Sequence, residues 1–382
     1  MSLIIILLCG SLCAGKAQKP MISLRGNPDF HRDSLTVLER AWYDKVSASI
    51  ERSWDTATSR ADSNDTYIYG RYFGDYNAAL LMVLRATGDL SFLDRVLQLC
   101  NIAKAQLRDS LQDGSTDGNL GWWWQGDPKS PYYGTDAHSM DEAMTHGNIA
   151  LITYALHVNR DLKPEYAEQA DDWLDYLENH FLAKWYARCR NDSLAAWNHQ
   201  SGFYKRFVHP RANQLRLAFY LWKITGKSFY LDRVEEIAGQ LREHLDVVGE
   251  DAPTLRWKHQ ISGHDEGWQK IQYAQYFMRV VYEMYFENLN GLADPEIMLK
   301  FMRTFRDVVF RRSGRDAPSG MSLRIDGSGS TQPRIWGQGC LVRWDPSGRI
   351  LELAASDFKA GSYGLSTAAY TLMGMSTRDQ SK

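Results

Sequence analysis

A helical hairpin that recurs along the chain limits most what this sequence can fold into. Thr87-Gly-Asp-Leu-Ser-Phe-Leu-Asp-Arg-Val96 aligns without a gap on Thr225-Gly-Lys-Ser-Phe-Tyr-Leu-Asp-Arg-Val234. Weaker copies stand at Asn159-Arg-Asp-Leu-Lys-Pro-Glu-Tyr166 and Asn290-Gly-Leu-Ala-Asp-Pro-Glu-Ile297. The starts, at 87, 159, 225 and 290, lie about 65 to 72 residues apart. Each copy follows an apolar helix and opens an amphipathic one. A long repeat of paired helices builds a toroid or a solenoid.

The first helix of each pair, about 76–86, 142–158, 211–224 and 266–287, is apolar nearly all round, so it is buried on every side. The second, about 90–109, 164–182, 228–246 and 295–311, alternates charge with apolar stripes and faces water. Glycine in the Thr-Gly or Asn-Gly turn supplies a left-handed C-cap. Phe92 and Tyr230 pack that turn. Residues 35–58 also show helical periodicity, with Ser34 as N-cap, and a further helical pattern runs over 363–374. The predicted class is all-α: an α/α toroid of six to seven hairpins, closed or incomplete. A small β-hairpin is expected near the C-terminus, where Leu341-Val-Arg-Trp-Asp-Pro-Ser-Gly-Arg-Ile-Leu-Glu-Leu353 reads as two strands around a turn.

The 382 residues are 44% hydrophobic, ample for one large core, and the repeat argues for a single domain over 34–382. Residues 1–17 read as an export signal, because the apolar run from Ser2 to Ala14 is too short to span a bilayer and small residues follow it. Residues 18–33 read as a linker. The expected location is periplasmic or secreted, with no membrane partner. A net charge of −2 excludes a general electrostatic affinity for nucleic acid. Cys100, Cys189 and Cys340 are too few and too far apart for a disulfide framework. No metal or cofactor signature occurs: there is no HExxH, no CxxC pair, no Walker loop and no dinucleotide fingerprint.

Site candidates gather where chain enters the buried helices. At Tyr72–Ala78, Tyr76 and Asn77 can face a cavity, and Asp75 is either a helix cap or a site residue. Trp122, Trp123 and Trp124 cannot all enter one core, so at least one is expected exposed, where indoles stack on sugar rings. Glu142 and His146, four apart, share a helix face. Tyr204, Lys205, Arg206, His209, Arg211, Asn213 and Arg216 form a basic cluster at the start of an apolar helix, suited to a carboxylate ligand. His264, Trp268 and Tyr273 crowd the start of the longest apolar helix.

Aromatic platforms and bases with few paired carboxylates fit a cleft for an acidic polysaccharide. On these hairpins and on Tyr204–Arg216, Glu142/His146 and His264 with Tyr273, the chain resembles the α/α-toroid polysaccharide lyases, the alginate and glucuronan lyases in particular. The resemblance implies β-elimination on a uronic acid polymer without metal or organic cofactor. It implies Glu142 and Asn213 or Arg211 as neutralisers of the substrate carboxylate, His209 or His264 as base, and Tyr273 as acid with Tyr204 in reserve. His146 completes the catalytic set. Trp122, Trp123, Trp124, Trp268, Lys205, Arg206, Arg216, Tyr76 and Asn77 would bind sugar. Two rivals stand beside it. One is a glycoside hydrolase using two carboxylates flanking the bond, or one acting through water, drawn from Asp75, Asp141, Glu142, Asp265 and Glu266. The other is a non-catalytic glycan-binding repeat protein.

Overall fold

Both Thr-Gly turns stop a helix in the same way. Gly88 (φ 81°) and Gly226 (φ 68°) are left-handed and return their N–H to Leu84 and Trp222, so the buried helix ends in one residue. The preceding threonines repeat as well. Thr87 Oγ1 donates to the Val83 carbonyl and Thr225 Oγ1 to that of Leu221, each at 2.7 Å. Phe92 and Tyr230 are buried behind the turns.

The computed structural model describes residues 23–109, 116–198, 202–203, 206–261, 267–289, 291–313, 317–330, 335 and 337–376. The expected signal segment, 1–17, lies outside them. The eleven longest α-helices of the described chain are α1 (Val37–Ala61), α2 (Gly74–Thr87), α3 (Ser91–Lys104), α4 (Ser139–Val158), α5 (Pro164–Asp175), α6 (Val208–Thr225), α7 (Ser228–Glu243), α8 (Ile271–Phe286), α9 (Pro295–Arg303), α10 (Arg349–Asp357) and α11 (Ser362–Met375). The fold is all-α apart from two short antiparallel hairpins, β1 (Asp246–Val248) with β2 (Thr254–Arg256) and β3 (Phe310–Ser313) with β4 (Ala317–Met321).

The apolar helices pack on one another in chain order, α2 on α4, α4 on α6 and α6 on α8. Helix α11 packs on α2 and α1, and a 3-10 segment, Gly337–Trp344, packs between α8 and α11. The amphipathic α3, α5 and α7 lie against α2, α4 and α6. Close approach needs glycine: a Cβ on Gly147 of α4 would stand 2.7 Å from the Asn213 carbonyl of α6.

Neighbouring hairpins are also stapled at the surface. Lys163 Nζ and Tyr166 OH both donate to Asp94 on α3, each at 2.6 Å. One repeat later Lys227 Nζ and Tyr230 OH donate to Glu178 at 2.5 and 2.8 Å. A Lys-x-x-Tyr after the turn thus grips the carboxylate of the preceding hairpin.

Several sequence expectations are corrected. Helix α1 is capped by Thr36, in a reciprocal box with Glu39, and Ser34 belongs to a 3-10 turn before it. Residues 23–33 are fastened to the body and do not form a loose linker. Leu24 is buried, Gly26 N donates to Asn159 Oδ1 at 2.7 Å, and Asn27 N donates to the Gly88 carbonyl at 2.7 Å. The segment 341–353 runs from the 3-10 segment through a turn into α10, and the C-terminal β-hairpin sits at 310–321. Asp345 accepts from Ser347 N and Ile350 N, and left-handed Gly348 turns the chain into α10. Ile350, Leu353 and Ala354 are then buried at helical spacing. Helix α8 starts at Ile271, since Lys270 is held extended by a bridge to Arg324. The three described cysteines are free and buried. Among the described residues no helix is long and apolar enough to cross a membrane.

Candidate functional site

A cavity of about 470 Å³ opens where α2, α8 and α11 begin, a volume ordinary for a small-ligand site. Its wall includes Arg71, Tyr72 and Asp75 from the start of α2, Tyr273, Tyr276 and Arg279 from α8, and Ser362 and Tyr363 from α11. Tyr67 and Arg60 complete the side next to α1. Residues 69–73 run as a π-helical stretch into α2, which shifts the register so that Arg71 and Tyr72 both face the cavity. The N-termini of α8 and α11 at this opening add partial positive charge.

The side chains are held before any ligand arrives. Arg71 lies over the Tyr67 ring at 4.6 Å and 3.1 Å from Asp141, which also accepts from Trp124 Nε1 at 2.6 Å. Arg279 pairs with Asp75 at 2.8 Å, and Arg60 lies over the Tyr72 ring at 4.6 Å. Among the described lining residues three guanidiniums thus stand with one carboxylate, Asp75; Arg279 is paired with it, and Arg71 with Asp141 behind the wall. Burial raises the Tyr276 hydroxyl, and Asp75 adds to the rise, so that phenol stays protonated. Burial also raises the Asp75 carboxyl against the opposing pull of Arg279.

His209 stands one layer behind. Its ring stacks on Tyr273 with centroids 4.8 Å apart, and on His259 at 5.5 Å. It is buried, and neither ring nitrogen has a hydrogen-bond partner among the described residues. Burial, then His259 and Arg71, hold it well below the ordinary histidine pKa, so it is a neutral imidazole. Asn213 and Arg216, on the same helix, lie deeper. Arg216 grips Glu283 of α8 with Nε (2.8 Å) and Nη2, and reaches Asn148 at 2.6 Å and Asn213 at 3.2 Å.

The structure therefore brings His209, Tyr273 and Tyr76 to or beside the cavity and takes other expected residues elsewhere. Glu142 is fully buried and bound by Lys184 Nζ at 2.9 Å, which also meets Asp136 at 3.0 Å. His146 is sandwiched in the core, 3.6 Å from the Phe181 ring and 2.9 Å from Tyr176 OH. Arg211 points to α7 and binds Gln240, Gln214 and the Trp197 carbonyl. Asn77 is buried and donates to the Phe73 carbonyl. Trp122 is fully buried, its Nε1 donating to Ala103 O, and Trp124 is buried under His138, so only Trp123 keeps partial exposure. Arg216 is closed in its ion pair. Arg206 is exposed beside a bridge to Gln260. Trp268 lies on a different face, described below. Tyr204, Lys205 and His264 fall outside the described residues. Asp75 caps no helix, because its carboxylate is turned to Arg279.

Arg71 and Arg279 were not singled out in the sequence. A signal existed for the second: Gln275, Arg279, Glu283 and Glu287 recur every four residues, a polar stripe on the buried α8 that needs partners. Comparison with protein-family models, curated proteins and solved structures found no match. Among the described residues no three His, Cys, Asp or Glu cluster as metal ligands.

Proposed function

We propose that the chain is a polysaccharide lyase that cleaves a uronic-acid polymer, of the alginate or glucuronan kind, by β-elimination on an α/α toroid. In this reading α2, α4, α6, α8 and α11 with Gly337–Trp344 form the inner ring, and the cavity is one mouth of it. The observation that carries the reading is the lining: three guanidiniums and a fringe of tyrosines around one carboxylate already committed to Arg279. That wall suits an anionic sugar, and a pair of carboxylates flanking a glycosidic bond, as a two-carboxylate hydrolase would use, is not among the described lining residues.

Arg71 neutralises the substrate carboxylate and so acidifies the adjacent C–H. The proton leaves that carbon, its electron pair forms the C=C bond, the glycosidic C–O bond breaks, and the leaving oxygen takes up a proton. His209, a neutral imidazole, takes the C–H proton, and Tyr273, stacked on it at the cavity wall, gives its hydroxyl proton to the leaving oxygen. The expected signal segment would deliver the protein to the periplasm or outside the cell.

The test is a panel of alginate, glucuronan and glycosaminoglycans read by the ultraviolet absorbance of the new double bond. New reducing ends without that absorbance would make the protein a hydrolase. Binding without product at any pH would make it a glycan-binding protein. Full activity in both Tyr273→Phe and His209→Ala would refute the assigned groups.

A further inference from the structure

Three extended segments meet beside the cavity and sort their side chains by strict alternation. Lys258 bridges Trp268, Lys270 bridges Arg324, and Gln269 N donates to the Trp257 carbonyl while Ile325 N donates to that of Gln269. In extended chain, alternate residues share a face. Leu255, Trp257, Gln269 and Ile325 are buried on one side. Arg256, Lys258, Trp268, Lys270 and Arg324 are left on the other, each partly or fully exposed.

Four cations therefore surround one indole on a single face. The indole orders two of them: Arg256 and Lys258 each lie over the Trp268 ring at 4.3 Å. Asp246, itself exposed, stands 3.8 Å from Arg256. The protein as a whole is slightly acidic, so the concentration of positive charge is local. The face also joins the cavity through the backbone. Lys270 precedes Ile271 and Arg324 follows Leu323, and both of those apolar neighbours line the cavity.

From this continuity we infer that the face formed by Arg256, Lys258, Trp268, Lys270 and Arg324 is a second binding site for the acidic polysaccharide, holding units of the chain that extend beyond the cavity. The inference rests on the lyase reading for the identity of the polymer, but not for the existence of the site. It makes the protein selective for long chains: a short oligosaccharide fills only the cavity, and a polymer gains the face as well. Its contribution is electrostatic and salt-sensitive, because the cations are partly or fully exposed to solvent.

The experiment compares the wild-type protein with a variant carrying Arg256→Gln, Lys258→Gln, Lys270→Gln and Arg324→Gln. Polymer binding (polyglucuronate and alginate) is measured by calorimetry at low and high salt, alongside ultraviolet turnover of a trisaccharide and of polymer. Lys270 is exposed and Arg256, Lys258 and Arg324 are half-buried, so an unchanged melting temperature checks the fold. The expected result is polymer affinity about tenfold or more lower at low salt, the scale of four exposed ion pairs. The salt dependence should flatten and trisaccharide turnover should be unchanged. Equal polymer affinity in both proteins overturns the site, whether or not the polymer is cleaved. Wild-type protein that binds no acidic polymer overturns it too. If the variant loses polymer binding while no polymer yields product even with wild-type protein, the binding face stands and the lyase reading falls.

Discussion

Removing Glu283 should cost more than any surface change, and its magnitude follows from the geometry. Glu283 is fully buried and accepts from two nitrogens of Arg216, whose remaining contacts are Asn148 and Asn213. In Glu283→Ala the guanidinium stays buried without its counter-charge, a loss of about 3–5 kcal/mol. At about 2.1 cal/mol/K per residue over 382 residues, the unfolding entropy is about 0.8 kcal/mol/K, so the melting temperature should fall by about 4–6 °C. Arg216→Met with Glu283→Met removes both charges and should recover most of that loss. Calorimetry on the three proteins supplies the test. The pair also joins α6, which carries His209, to α8, which carries Tyr273, so turnover should fall along with stability in the single variant. A loss below about 1 kcal/mol in Glu283→Ala, or a double variant as unstable as the single one, would show that the pair is not a buried, uncompensated unit.

Arg71→Ala should lower lyase turnover by about two to three orders of magnitude, and Arg71→Lys should restore part of it, since the charge returns without the planar fork. Initial rates from ultraviolet absorbance test this. His209 has its folded pKa depressed by burial, so the unfolded chain binds its proton more readily. The stability tied to the neutral ring is complete above about pH 6.5, the unfolded value, and is lost as pH falls below it. His209→Phe should therefore flatten the fall of unfolding free energy with acid by up to about 1.4 kcal/mol per pH unit, and an unchanged profile would remove His209 as a cause. Gly226→Ala should destabilise by about 1 kcal/mol because φ is 68°, and Gly239→Ala, inside α7 with open space around it, should stabilise by a similar amount in denaturant unfolding.

Local chemistry in the sequence determined the helices and their order. Thr-Gly stops at 87–88 and 225–226, all-round apolar runs and striped partners act within a few residues, so the apolar helices lie within about five residues of where their pattern places them. The same reasoning failed at 341–353, where Asp-Pro-Ser-Gly suits a hairpin turn and a helix start equally well. There the packing of Ile350, Leu353 and Ala354 decided in favour of helix. It also singled out His209 and Tyr273, which do meet, because polar residues at the entrance of an apolar helix need a reason to be there. Which of the polar residues face a ligand was decided only by tertiary structure. Glu142 looked like a site carboxylate until Lys184, 42 positions away, closed on it. Arg71 drew no notice in the sequence, and the π-helical turn places it at the cavity, between Tyr67 and Asp141. Backbone propensity is set by neighbours in sequence, whereas exposure and charge pairing are set by neighbours in space, and a hairpin repeat brings those from helices some 65 residues or more apart.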